Sequence, residues 1–188
     1  MLRSPGLSFA HTSPIPQASG EFLDSRTDGP HMWGMAGPPP KPWPTGASER
    51  LEPLVARVLA PNPSPYTYTG TQTYVVGSGD RVAVIDPGPD DLAHLAAIEA
   101  AVGDAAIAAI MCTHTHRDHS PAARPLAQRT GAPIVGCAPL VLDDSGPRAD
   151  ASFDRTYEPD RVLLDGEAMT GPGWTLTAVH TPGHTSNH

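Results

Sequence analysis

The sequence predicts a mixed α/β layer domain, and three observations carry that prediction. From about residue 51 short apolar runs alternate with turn signals, residues 91–102 have a helical rather than a strand period, and the apolar run 105–112 leads directly into a histidine-rich loop. Strands interleaved with helical segments bury their apolar faces by laying helices against a sheet.

The elements follow in chain order. "LVARVLA" (54–60) and "TYVVG" (73–77) read as strands, and "GSGD" (77–80) turns the chain into "RVAVID" (81–86), an antiparallel opening. "DPGP" (86–89) then breaks the chain. In "DLAHLAAIEAAV" the spacing of Leu92, Leu95, Ile98 and Val102 predicts an amphipathic helix, with His94 on its surface. "AAIAAIMC" (105–112) is a buried strand. Beyond it, Asp118 or Ser120 is placed to cap a second helix, with Pro121 in the first turn and Gly131 just past the end. Pro125 removes a hydrogen bond from such a helix, so the helix is either kinked or begins later. "PIVGCA" (133–138) predicts another strand, 161–169 with 174–180 a hairpin-like pair, and 143–154 a polar loop. No internal repeat is visible.

Composition divides the chain. Residues 1–50, rich in Ser, Pro and Gly and including "GPPPKPWPTG", lack the apolar content to offset ordering entropy and are expected to be disordered. The folded domain is assigned to 51–188, and Met32 and Met35 offer later candidates for the biological start. With 12 basic and 20 acidic residues the formal net charge is −8, which gives no electrostatic footprint for unselective binding to nucleic acid or an anionic membrane. Two cysteines, Cys112 and Cys137, are too few for a disulfide framework and fit a reducing compartment. No apolar run approaches the roughly 20 residues of a membrane helix, and no signal-peptide core is present, so a soluble cytoplasmic protein is expected.

The chemistry concentrates in "THTHRDHS", residues 113–120. His114 and His116 are two apart, so on an extended segment leaving a strand their rings share a side. Asp118 and His119 follow after the chain begins to turn and can face the same pocket. Imidazole and carboxylate donors suit zinc, and also iron or manganese, and four of them within six residues suffice for two ions. "TPGHTSNH" (181–188) offers a further donor. Pro182 and Gly183 forbid a helix aligning His180 with His184, which favours His184 as the ligand. His11, His31, His94 and His188 are assigned structural or solvated roles, and Cys112 that of a buried thiol.

These stretches, with "VIDPG" (84–88), resemble the first three motifs of the metallo-beta-lactamase superfamily in order and approximate spacing. The entry segment 60–77 is similar to that of the branch containing the mammalian beta-lactamase-like endoribonuclease and many bacterial hydrolases, a glyoxalase II-like branch. The resemblance implies the first half of an αββα sandwich, a mixed, largely antiparallel sheet with flanking helices. It further implies that His114, His116 and His184 bind one metal, that Asp118 and His119 contribute to a second, and that Asp86 orients the cluster loop. The implied cofactor is zinc, two ions per complete domain. The implied activity is hydrolysis, a zinc-bound hydroxide held by Asp118 attacking an ester, thioester, lactone or phosphodiester.

A small-molecule substrate is the expected partner, RNA is the narrower alternative, and no membrane is involved. Nothing assigns the substrate-binding residues or the oligomeric state, although Tyr66 or Tyr68 is a candidate for one wall of the site. The family's bridging aspartate, last histidine ligand and second sheet have no counterpart before His188, so the chain is expected to be a fragment, poorly soluble and inactive alone. The alternatives kept are a mononuclear iron oxygenase of the same fold, since relatives of the sulfur-dioxygenase type use a histidine cluster of this form, and a non-catalytic metal-binding remnant; His116, where flavodiiron relatives carry glutamate, lowers the redox reading.

Overall fold

The computed structural model describes residues 44–141 and 152–188. The expectation of disorder for residues 1–43, and most of the predicted 143–154 loop, lie outside the described residues. The chain forms β1 (Ser48–Glu52), β2 (Val55–Leu59), β3 (Gln72–Val76), β4 (Arg81–Ile85), α1 (Leu92–Val102), β5 (Ala106–Cys112), α2 (Ala123–Thr130), β6 (Ile134–Gly136), β7 (Arg161–Val162), β8 (Ala168–Gly171) and β9 (Trp174–Thr177). The first strand thus starts at Ser48, slightly ahead of the boundary expected at residue 51.

Seven strands form one sheet in the order β1-β2-β3-β4-β5-β6-β7. The pairs β1–β2, β2–β3 and β3–β4 are antiparallel, and β4–β5, β5–β6 and β6–β7 are parallel. The parallel β4–β5 and β5–β6 pairs follow from the crossovers that α1 and α2 provide, since parallel neighbours cannot be joined by a tight turn. The topology is therefore the expected mixed α/β sheet with flanking helices. It also fixes the site, because the carboxyl ends of β4 and β5 deliver the 86–91 and 113–122 loops to the same edge, where open α/β sheets hold ligands.

Alternation along the central strands separates two faces. Val82 and Val84 pack into the main core with Leu95, Ile98, Ile110, Leu126 and Ile134, beneath α1 and α2. Ala83 and Ala108 pack on the other side with Trp174, whose Nε1 donates to the Arg81 carbonyl at 3.0 Å. Burying one such Leu or Ile side chain contributes about 1.5–3 kcal/mol, so the helices are held mainly by these contacts. The β8–β9 hairpin carrying Trp174 covers part of the second face, while Val162, Leu164 and Val179 stay exposed.

Three local expectations change. The segment 161–169 does not pair as a unit with 174–180: β7 joins the main sheet beside β6, and only β8 pairs with β9. The turn at Asp165 and Gly166 (φ +81°) splits the apolar run, whose composition marks strands without choosing their partners. Helix α2 begins after Ala122 and lacks a side-chain cap, so neither Asp118 nor Ser120 caps it. Pro125 then lies in the first turn, where its missing N–H removes no helical bond, and Gly131 closes the helix in the left-handed region (φ +72°). Finally, His94 is 1% exposed and Leu92 is 75% exposed, the reverse of the expected helix face. Asp91 caps α1 by accepting from the His94 N–H at 2.8 Å, which turns the His94 ring inward onto Thr73.

Candidate metal centre

The exit of β5 turns the chain so that the His114 and His116 rings meet, with His114 Nε2 2.9 Å from His116 Nδ1. His184 arrives from the far end of the chain and places its Nε2 3.0 Å from the same Nδ1. The candidate ligand atoms of the three residues lie within 4.8 Å of one another. Their rings stand close to mutually perpendicular, at 83°, 79° and 73°. His180 does not join them: it is exposed, and its backbone N–H donates to Asp165 Oδ1 at 2.9 Å.

Hydrogen bonds beneath the rings select their protonation. Thr113 Oγ1 donates its single proton to Asp86 Oδ2 at 2.8 Å, so it accepts from the His114 Nδ1–H at 2.9 Å. That leaves a bare Nε2 on His114, the form able to bind a cation. The 2.9 Å contact then makes His116 Nδ1 the donor to His114, and this shared proton must leave when a cation enters. The same logic applies to His94: Thr73 Oγ1 donates to the Asp86 carbonyl at 2.7 Å and accepts from His94 Nε2 at 2.9 Å.

Asp86 is the hub of this arrangement. It has a positive φ of 49°, a conformation that costs a non-glycine residue of order 1 kcal/mol or more and persists only when its surroundings over-determine it. They do so here. Its N–H donates to the Met111 carbonyl at 2.8 Å, and its carboxylate accepts from the Thr113 N–H at 2.8 Å, from Thr113 Oγ1, and from His119 Nδ1 at 3.1 Å. Gly88 (φ +86°) lies so close to His94 that a Cβ there would approach His94 Nε2 to 3.0 Å. Its N–H and C=O bond the His119 carbonyl and the Ala122 N–H, zipping the 86–91 loop to the cluster turn.

Asp118 and His119 stand beside the three rings as a pair, His119 Nε2 being 3.2 Å from Asp118 Oδ2. Burial opposes the charge on His119, but its contacts with the Asp118 and Asp86 carboxylates prevail and raise its pKa to about 9. Burial likewise opposes the Asp118 carboxylate, and hydrogen bonds from His119 and Thr71 bring it down to about 2. His114 is pushed down to about 3, first by burial and then by the charge on His119, so it is a neutral donor at pH 7. His116 is lowered as well, by burial and by His184. Burial raises both thiols, Cys137 to about 11, so neither cysteine is an anionic donor at neutral pH.

These shifts predict a stability optimum for the metal-free chain. His119, raised in the folded state, stabilises fully below its unfolded value of about 6.5 and loses that contribution as pH rises through 9. His114, lowered in the folded state, acts in the opposite sense and loses its contribution as pH falls from about 6.5 towards 3. Urea midpoints of the metal-free chain are expected to peak near pH 6.5 and to fall on both sides, most of the alkaline loss lying between about pH 6.5 and 9. A midpoint that rises across the alkaline interval contradicts the His119 assignment.

The donor set fits a divalent ion of the zinc type. Three nitrogens at about 2.0–2.1 Å from one tetrahedral ion stand roughly 3.3 Å apart, so the two contacts of His116 at 2.9 and 3.0 Å open by a few tenths of an ångström, within a set whose atoms all lie inside 4.8 Å of one another. Three imidazoles leave the fourth position of such an ion open, the pattern of catalytic rather than structural sites.

Several partners were not visible in the sequence. The Phe153 ring stacks on His116 with centroids 4.6 Å apart and 29° between planes, and a β-bridge joins the two residues. The Asp154 N–H donates to the Thr115 carbonyl at 2.7 Å, and Asp154 Oδ2 accepts from Ser120 Oγ at 2.9 Å, so the 152–154 segment straps the cluster loop. Asn187 Nδ2 donates to Thr115 Oγ1 at 3.1 Å and to the Ala138 carbonyl at 2.9 Å, which holds His184 in place. His188, assigned no role from the sequence, sits with its ring centroid 5.1 Å from that of His114. Phe153→Ala is expected to lower zinc affinity about tenfold, the lower end of what outer-shell partners contribute, with Phe153→Tyr close to the parent. Competition titration against a chelator checks this, and equal affinity in the alanine variant refutes the stacking role.

Among the described residues no helix is long and apolar enough to cross a membrane. The family model described as "Metallo-beta-lactamase superfamily" matches residues 66–188. An atrochrysone carboxyl ACP thioesterase of Aspergillus novofumigatus is 33% identical over 143 residues, covering 74% of this chain and 40% of that protein. The beta-lactamase-like protein 2 homolog of Drosophila melanogaster is 34% identical over 160 residues, covering 76% and 49%. Among solved structures, the metallo-beta-lactamase MIM-1 of Novosphingobium pentaromativorans superposes with a TM-score of 0.56 at 27% identity, covering 75% of this chain and 53% of that one. Rm3 metallo-beta-lactamase gives a TM-score of 0.59 at 23% identity, covering 75% and 54%. The chain spans about half the length, or less, of these relatives. The α/β layering, the histidine cluster and the match to residues 66–188 lead to one conclusion: this chain belongs to the metallo-beta-lactamase superfamily.

Proposed function

We propose that the chain carries the metal-binding half of a hydrolase acting on a thioester or related acyl substrate, with zinc held by His114, His116 and His184. The single observation that carries the reading is the convergence of three imidazole nitrogens from two distant segments. Asp118 and His119 would contribute to a second ion. The thioester class draws support from the relatives named as acyl carrier protein thioesterases. When bound, a divalent ion lowers the pKa of water towards neutrality and polarises the carbonyl under attack.

The chain's own residues supply the rest. The Asp86–Thr113 pair fixes the His114 tautomer, and Phe153 packs the His116 ring, so only the shared proton and a few tenths of an ångström have to shift when an ion enters. Asp118, anionic at any physiological pH, can accept a hydrogen bond from an attacking water and hold that water in line with the scissile carbonyl. His119 would give up its extra proton on taking an ion, so uptake of the second ion should release a proton below pH 9 and tighten as pH approaches that value. The two free cysteines support a reducing, cytoplasmic setting.

Metal analysis with thioester hydrolysis assays tests the proposal. Zinc at up to two ions on this chain is the expected result, with, in an enzyme that carries it as one half, turnover that chelation removes and zinc restores. A single iron per chain with no hydrolysis would instead favour an oxygenase.

A further inference from the structure

The metal chemistry leaves unused the loop between β2 and β3, although this loop reaches Asp118. Thr71 is 4% exposed, and each of its polar groups has a partner. Its Oγ1 donates to Asp118 Oδ2 at 3.0 Å and accepts from Asn62 Nδ2 at 3.1 Å. Its N–H donates to Asn62 Oδ1 at 2.9 Å, and its carbonyl accepts from the Ala60 N–H at 2.9 Å. Asn62 and Thr71 are thus joined by two reciprocal bonds that close the loop at its base.

Within the loop, Ser64 Oγ accepts from the Tyr66 and Thr67 N–H groups at 3.2 and 3.0 Å. The Tyr68 N–H donates to the Ser64 carbonyl at 2.7 Å, and the Gly70 N–H to the Thr67 carbonyl at 3.0 Å. Tyr68 has a φ of 56°, a left-handed conformation rare for an aromatic residue, and Tyr66 is 97% exposed at the tip. At Gly70 (φ +127°) a Cβ would collide with the Ala60 carbonyl oxygen, so the loop closes only on a glycine. A strained, internally bonded loop presenting aromatic side chains is therefore tied through one hydroxyl to a single carboxylate oxygen at the metal centre.

We propose that Thr71 is a positioning residue that couples the 62–70 loop to Asp118, so that the loop's conformation and the carboxylate's direction are set together. The catalytic meaning of the coupling rests on the hydrolase reading above. The coupling itself does not. A loop held this way gives a substrate resting on the tyrosines a direct line to the group that orients the attacking water, and it makes Thr71 a determinant of turnover rather than of substrate affinity.

Amide hydrogen exchange on the full chain, with and without zinc, tests the coupling at residues 68, 70 and 71. Without metal, Thr71→Val and Asp118→Ala are each expected to speed exchange at these amides about tenfold, with the double variant no faster than either single one. Thr71→Ser, which keeps the hydroxyl, should match the parent. In a zinc-dependent enzyme carrying these residues, Thr71→Val should lower kcat roughly tenfold at nearly constant KM, and Thr71→Ser should recover it. Unchanged exchange in Asp118→Ala, or a double variant whose acceleration is the product of the singles, overturns the coupling. Absence of zinc uptake by the parent would instead overturn the hydrolase reading, while the metal-free exchange comparison still decides the role of Thr71.

Discussion

His116→Ala is expected to weaken zinc binding by well over the roughly 100-fold that marks the upper range for outer-shell partners, because it removes a donor atom. His116 is the common neighbour in the cluster: its Nδ1 stands 2.9 Å from His114 Nε2 and 3.0 Å from His184 Nε2. Removing the ring leaves two nitrogens from segments that no longer meet through a third. His180→Ala is the matched control, since His180 is a histidine of the same segment as His184 that lies outside the cluster, and its affinity should equal that of the parent. Equal losses in the two variants would point to a general disturbance rather than to ligation.

The second large effect concerns turnover. Asp118→Asn in the zinc-loaded enzyme is expected to lower kcat by about 10²-fold, the loss that follows when an attacking group is no longer held in line. The amide keeps the shape of the carboxylate and can still accept from Thr71, so folding should lose only the share of the His119 ion pair that Asp118 supplies, far less than turnover. What disappears is the anion that His119 and Thr71 hold well below the usual carboxylate range, and with it the charged acceptor that orients the attacking water. Single-turnover kinetics with a thioester, read beside the urea midpoint, separates the two effects. Undiminished turnover removes Asp118 from the mechanism.

Much of this arrangement was legible in the sequence because it is local. The two-residue spacing of His114 and His116 on a strand exit is enough to put both rings on one side, and Gly131 marks a helix end by its left-handed conformation. Pro182 and Gly183 set His184 apart from His180, and it is His184 whose ring stands beside His114 and His116. Partners distant along the chain were not legible. Nothing in the letters near His116 announces that Phe153 will stack on it, or that Asn187 will reach Thr115. His94 was misplaced on the surface because a polar residue on an amphipathic helix looks solvated until its partner, Thr73 on another strand, is known. β7 was misassigned for a related reason: an apolar run specifies burial, and its pairing with β6 depends on where the whole sheet leaves an open edge.

X-ray absorption at the zinc edge of the full chain tests the central claim most directly. At one equivalent of zinc the account predicts imidazole scattering from three nitrogens at about 2.0–2.1 Å, falling to two in His184→Ala. A chain that binds no zinc, or zinc whose imidazole count is unchanged in His184→Ala, would contradict it.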